Sequence, residues 1–194
     1  MKIEDIKAFF DELAASWDST IVRNEEVINK ILDDAQVQAG KRVLDVACGT
    51  GVLFPDYLER EVESVTGVDI SSEMVKVASK KFEGDKIKLL CGDAQEFKFA
   101  EAYDCIVIYN AFPHFNCPEK LFENLGSCLK EDGRITVAHG MSREWINARH
   151  SGKAKTVSVG LLPEDELAEL MSRWFCVDIV ISDSEKYIVS GVKK

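Results

Sequence analysis

Apolar residues recur along the chain at two different periods, and the change from one to the other divides it. Ile3, Ile6, Phe10, Leu13 and Trp17 share one face at helical spacing, which predicts an amphipathic helix over 3–17. Val27, Ile28, Ile31, Leu32 and Ala35 predict a second over 24–38. From residue 42 the chain alternates short apolar runs of strand length with helical stretches. The runs RVLDVA (42–47), SVTGVD (64–69), KIKLLC (86–91), YDCIVIY (103–109) and RITVAH (134–139) predict strands. Helices are predicted over 52–60, 72–82 and 118–130. Pro55 is tolerated only in the first turn of its helix, Ser71 is placed to cap the next, and Glu131-Asp132-Gly133 closes the third. A polar stretch covers 140–160, Pro163 opens a helix to about 172, and 174–182 with 186–193 predict a closing antiparallel pair.

Repeated strand–helix–strand units imply a parallel sheet with helices on both faces. In such sheets ligands bind beyond the carboxyl ends of the strands, so the residues just after each strand are the candidates for chemistry. The first of these segments is Asp45-Val46-Ala47-Cys48-Gly49-Thr50-Gly51. Gly49 and Gly51 permit positive φ and close approach of a ligand to backbone, although a tight strand–helix turn needs no ligand. Asp69 ends the next predicted strand, at the spacing where nucleotide-binding α/β folds place a carboxylate on the ribose hydroxyls. A dinucleotide fingerprint wants a third glycine three residues after the second, and this chain has Phe54 there. A ribose-bearing ligand without a pyrophosphate fits better than NAD.

The bulk numbers narrow the class. The chain has 194 residues, 46% hydrophobic and 30% charged, the make-up of one ordinary globular domain. No apolar run approaches the ~18–20 residues of a membrane span, and the first residues do not read as a signal peptide. The formal net charge of -10 repels phosphate backbones and disfavours a nucleic-acid partner. Six cysteines without a CxxC pair read as reduced thiols, so a cytoplasmic location is expected, with no membrane partner.

VLDVACGTG followed by VTGVDIS resembles the first two motifs of the class I S-adenosylmethionine-dependent methyltransferases. FFDELAASWD is similar to the cap helix of their ubiquinone and menaquinone methyltransferase-like group. CGDAQEF at 91–97, YDCIVIYNAFPHF and LKEDGRITV resemble the later motifs, so the likeness runs over roughly residues 6–139. It implies a Rossmann-like, doubly wound, seven-stranded, mostly parallel sheet with an antiparallel last strand and an N-terminal helical cap. One domain over 1–194 is expected, the cap being 1–39 and the core 40–194. It also implies S-adenosylmethionine as cofactor. Asp45 would hold the glycine loop and approach the methionine ammonium, with Ala47 in the same turn. Gly49 and Gly51 would admit methionine and ribose, and Asp69 would take the ribose hydroxyls. Ile70 and Met74 would pack on adenine, Asp93 and Ala94 would meet its edge, and Asn110 would offer its backbone carbonyl to the amine. Asp93 as a turn cap, Asp69 as a solvated strand end and Met74 as ordinary core stand beside these roles.

Methyl transfer from a sulfonium asks the protein mainly to align the acceptor and exclude water, with a base only where the acceptor must lose a proton. The three histidines, His114, His139 and His150, all fall on or near the carboxyl edge of the expected sheet. His114 and His139, at strand ends, are the candidate catalytic bases. Metal binding and plain backbone capping are the competing readings, and no metal is assigned. Trp17, Arg143 and His150 are the candidate substrate residues. Phe9, Phe10 and Trp17 line the substrate mouth if the N-terminal helices cover it, and Trp145 walls a pocket or covers the sheet. Residues 110–113 are Asn-Ala-Phe-Pro, which departs from the Asn-Pro-Pro-Tyr pattern of amino-methylating DNA and glutamine enzymes, and no Pro-Cys pair follows the fourth strand. A small-molecule acceptor at O, S, N or activated C is therefore expected, in a monomer or homodimer. A non-catalytic S-adenosylmethionine- or S-adenosylhomocysteine-binding regulator is the alternative.

Overall fold

A computed structural model describes residues 1–100, 102–149 and 156–194. Among them, β1 (Arg42–Val46), β2 (Ser64–Asp69), β3 (Ile87–Cys91), β4 (Tyr103–Tyr109), β5 (Leu129–His139), β6 (Phe175–Ser182) and β7 (Tyr187–Lys193) form one sheet in the order β3-β2-β1-β4-β5-β7-β6. The first five pair in parallel, and β7 inserts antiparallel between β5 and β6. The expected doubly wound sheet with an antiparallel last strand is the observed one. The strand order reverses between β1 and β4, so a crevice opens beyond their carboxyl ends.

The two-residue period of the strands sorts side chains onto two faces. Leu44, Val46, Ile106, Ile108, Ile135 and Val137 meet α6 (Pro118–Cys128) and α8 (Glu164–Met171). Val43, Val65, Cys105 and Val107 face the other way, against α3 (Glu25–Asp34) and α4 (Phe54–Glu59). Asn24 caps α3 and Ser71 caps α5 (Ser72–Lys81), each accepting from the backbone N–H three residues on.

Four details depart from the expected elements. The first helix breaks: α1 spans Ile3–Leu13, a 3-10 turn takes Ala14–Ser16, and α2 spans Trp17–Thr20. The second stops at Asp34, because Gln36 turns left-handed at φ 56. β5 begins at Leu129, and its Asp132, at φ 61, lies in a bulge where Tyr103 faces Leu129 but Cys105 faces Arg134. The polar stretch after β5 contains α7 (Arg143–Arg149), with the Trp145 N–H donating to Ser142 Oγ at 3.2 Å. Its one buried residue, Ile146, gives too little apolar pattern to announce a helix.

Candidate active site at the carboxyl edge of the sheet

Beyond β1 the backbone turns left-handed at Ala47 (φ 57) and again at Gly49 (φ 56). The carboxylate of Asp69 holds this turn in place. It accepts from the Gly49 N–H at 2.8 Å and from the Ser71 N–H at 2.8 Å, joining the glycine turn to the start of α5. Burial pushes the Asp69 carboxyl up to about 6, against the pull of those two N–H groups. A carboxylate offers about four lone-pair positions, so two N–H bonds leave acceptor capacity for hydroxyl donors. Asp45 is also buried, and burial first, then the charge of Asp69, hold its carboxyl well above the usual range. Asp93 follows β3 and accepts from the backbone and side-chain N–H groups of Gln95.

These three carboxylates line one end of a cavity of about 390 Å³. Ala47, Gly49, Ile70, Met74, Ala94 and Asn110 line it with them, as does Trp17. Asn110 is left-handed at φ 54, and its Oδ1 accepts from the Gly140 N–H at 3.0 Å, tying the end of β4 to the end of β5. Met74 is buried beneath the wall, its N–H bonded to the Ser71 hydroxyl.

Gly51 does not line the cavity. A Cβ there would lie 2.7 Å from Phe82 and 3.0 Å from Phe54, so this glycine admits aromatic rings rather than a ligand. The Phe54 ring fills the space above Gly67, where a Cβ would meet it at 2.6 Å. Gly49 is different: a Cβ there would meet only Trp17 Nε1, at 3.7 Å, on the cavity side.

The far end of the cavity belongs to β4 and β5. His114, in a 3-10 turn at Phe112–His114, bonds through Nδ1 to the Val157 carbonyl at 2.7 Å. A carbonyl only accepts, so Nδ1 carries a proton and Nε2 is the basic nitrogen of the neutral ring. The Phe10 ring meets His114 edge-on at 4.9 Å. His139 ends β5, buried, edge-on to Tyr187 at 6.0 Å. Both histidines line the cavity. Arg143, expected near substrate, is not among the residues that line the cavity, and its guanidinium lies 3.8 Å from Glu144. His150 lies outside the described residues.

α1 and α2 close the cavity from above, bringing Phe9, Phe10 and Trp17 to its wall. Three polar straps fix them. Asp11 accepts from the Ser71 hydroxyl at 2.6 Å and the Glu73 N–H at 3.2 Å, and pairs with Lys7. Asp18 accepts from Thr50 at 2.5 Å and Lys81 at 2.8 Å. Arg23 donates to the Val52 carbonyl at 2.6 Å and to Asp56 at 2.8 Å. Sequence reasoning missed Asp11, Asp18 and Tyr109. An acid in a solvated helix carries no local mark of its partner 60 residues away, and Tyr109 reads as the last residue of a strand.

Residues 43–133 match the family described as "Methyltransferase domain". A malonyl-[acyl-carrier protein] O-methyltransferase of Priestia megaterium is 31% identical over 58% of this chain and 43% of its own length. A demethylmenaquinone methyltransferase of Renibacterium salmoninarum is 28% identical over 70% of this chain and 58% of its own. The chain thus spans about half the length of these relatives. The N-methyltransferase NodS of Bradyrhizobium japonicum, solved with S-adenosyl-L-homocysteine, superposes at a TM-score of 0.77 and 12% identity, covering 97% of this chain and 98% of its own.

Residues 43–133 are thus similar to a methyltransferase domain, and the chain has the fold of the methyltransferase structure it superposes on.

The cavity suits S-adenosylmethionine, the cofactor that the resemblance implies. S-adenosylmethionine carries an ammonium, a sulfonium and two ribose hydroxyls. The end of the cavity with three carboxylates offers acceptors for all of these, beside apolar walls at Ile70 and Met74. The open side of Gly49 is a cradle that a Cβ would fill.

Proposed function

We propose that this chain transfers a methyl group from S-adenosylmethionine to a small-molecule acceptor, with the roles divided along the cavity. The observation that carries the reading is the Asp69 carboxylate, buried, pinned to Gly49 and Ser71, and still able to accept. Asp69 takes the ribose hydroxyls, Asp93 and Ala94 meet the adenine edge, and Ile70 with Met74 forms its wall. Asp45 balances the ammonium from within the sheet, with Ala47 and Asn110 on either side. When bound, the cofactor supplies an activated methyl carbon on a sulfonium.

The protein's own share is alignment and exclusion of water. Phe10, Trp17 and the straps of Asp11, Asp18 and Arg23 hold a cover over the cavity. His114 and His139 are the proton acceptors for an acceptor that must lose one. In His114 the Val157 carbonyl holds the proton on Nδ1 and directs basicity to Nε2. A small acceptor fits a cavity of about 390 Å³. No helix among the described residues is long and apolar enough to cross a membrane.

Calorimetry with S-adenosylmethionine, S-adenosylhomocysteine and NAD tests the cofactor. Binding of both adenosyl ligands and none of NAD is expected; tight NAD binding with neither adenosyl ligand bound overturns the reading. A labelled-methyl screen over small acceptors, repeated with His114→Ala and His139→Ala, tests the bases. Loss of about 100-fold or more in kcat is expected if either histidine serves as the base, and unchanged rates in both variants remove that role.

A further inference from the structure

The ionisable side chains of the cavity are sorted by sign. Its three carboxylates, Asp45, Asp69 and Asp93, stand at the ends of β1, β2 and β3. At the ends of β4 and β5 no described Asp or Glu lines the wall; the ionisable or cationic groups there are Tyr109, His114, His139 and Arg149. Arg23 also reaches the wall, but Glu25 and Asp56 neutralise it. This sorting runs against composition. The chain has 34 acidic residues against 24 basic ones, yet 105–118 and 145–163 contain no Asp or Glu. Within the second stretch Arg149 lines the wall. The walls of that half are otherwise apolar: Phe10, Phe115, Met141 and Trp145.

From this, resting on the methyltransferase reading, we propose that the acceptor half binds an oxygen acid on an apolar, ring-sized body: a phenol or a carboxylic acid, held as its anion, in preference to an amine. An amine arrives from water as an ammonium ion. Desolvating it needs a carboxylate or an open aromatic face to receive the charge. No described carboxylate is there. Of the rings, Phe10 is packed edge-on by Phe9, Trp17 and His114, and Trp145, exposed at the rim, already carries the Arg149 guanidinium at 4.6 Å from its ring. A second cation is repelled by that charge, while an anionic oxygen is drawn to it. The relatives named above include both an O-methyltransferase and an N-methyltransferase, so the family leaves the choice open and the sign of the charges makes it.

The test uses four probes with one body: 2-naphthol, 2-naphthoic acid, naphthalene-2-thiol and 2-naphthylmethylamine. Each is titrated by calorimetry into the protein at pH 7.5, with and without saturating S-adenosylhomocysteine. At least one of the two oxygen acids is expected to bind about tenfold or more tightly than the amine, the usual scale of a like-charge penalty at a partly desolvated site. Which acid binds tells phenol from carboxylate. An amine that binds as tightly as both acids, a thiol that outbinds both, or no binding by either acid, overturns the proposal. If S-adenosylhomocysteine itself fails to bind, the methyltransferase reading falls, and the acid-over-amine preference is still read from the arm without it.

Trp145→Glu adds a carboxylate at an exposed position and spares the core. It is expected to weaken the bound acid about tenfold and to leave S-adenosylhomocysteine affinity unchanged. Trp145→Gln separates lost ring area from added charge. Equal weakening in both variants overturns the electrostatic account.

Discussion

At the end of β1 the cavity wall is backbone turned left-handed at Ala47 and Gly49, and the buried carboxylate of Asp69, at the end of β2, pins it. At the ends of β4 and β5, and under α1 and α2, it is a set of rings and imidazoles brought together from segments more than 100 residues apart. The first half is short in sequence: Asp45 to Gly49 and Asp69 to Met74 supply most of it. The second takes Phe10, His114, His139 and Trp145 from four separate elements. The difference shows how one fold keeps one end of its cavity fixed while the other is free to vary. Backbone turns tolerate few changes, whereas scattered side chains on loops can be exchanged one by one.

The sharpest way to break this contrast is Asp69→Ala. It leaves the Gly49 and Ser71 N–H groups without their buried acceptor and removes the acceptor proposed for ribose. The expected loss is about 2–3 kcal/mol in S-adenosylhomocysteine binding, roughly 30- to 150-fold, measured by calorimetry. Phe115→Ala, in the other half, should leave that affinity within about threefold, the size expected where no contact is lost. If Phe115→Ala costs more than Asp69→Ala, the two halves are not separate in function.

The glycines offer a second test, directed at folding rather than binding. Gly51→Ala places a Cβ 2.7 Å from Phe82 at a φ of 80. Overpacking and left-handed strain should cost about 1–3 kcal/mol of stability, seen as a lower midpoint in urea. Gly49→Ala shares the left-handed strain, at φ 56, but meets only Trp17, at 3.7 Å, so its stability loss should be the smaller of the two and its main effect should fall on ligand affinity. A large stability loss at Gly49 with none at Gly51 reverses the assignment.

These glycines also mark where the sequence was legible and where it was not. A GxG turn, a strand ending in Asp69 and the alternation of β1 to β5 are local patterns, and local patterns survive folding. The two glycines look alike in sequence; only the placement of Phe82 and Phe54 separates a glycine that faces the cavity from one that makes room for rings. Asp69 was read for its ligand, while its hold on Gly49 and Ser71 depends on backbone geometry that no spacing states. Arg143 is expected near substrate from a stretch rich in recognition chemistry, yet it is Trp145, Ile146 and Arg149 of the same helix that line the cavity. His139 is in a strand, so its placement followed from strand period; that of His114 needed the 3-10 turn and the carbonyl of Val157.

pH should sharpen the contrast further, because the two cavity carboxylates pushed upward, Asp45 and Asp69, lie in one half. The Asp69 carboxyl stands at about 6, above its ordinary value of 3.8. Between about pH 4 and 6 the folded chain therefore binds more protons there than the unfolded chain, and stability from this group falls as pH rises through that window. Ligand binding runs the other way, since hydroxyl donors need the ionised acceptor. Asp45, also pushed upward, acts in the same sense. The rise in melting temperature given by S-adenosylhomocysteine should be small at pH 5 and larger at pH 7.5. An equal rise at both values means that Asp69 is ionised throughout or makes no ligand contact.

The smallest expected effect concerns the element shared by both halves. α1 carries Phe10 over His114 and, one residue on, Asp11 against Ser71 and Glu73. Ser71 in turn gives its N–H to Asp69. Asp11→Asn keeps an acceptor oxygen but removes the charge that Lys7 faces, at a partly exposed site where such pairs contribute little. A loss of about 0.5–1 kcal/mol is expected, with faster amide exchange confined to residues 3–20. Exchange that stays slow there would mean that the apolar contacts of Ile6 and Ala14 hold α1 by themselves. The cover would then be fixed by packing, and the polar strap would serve the start of α5 rather than the acceptor half.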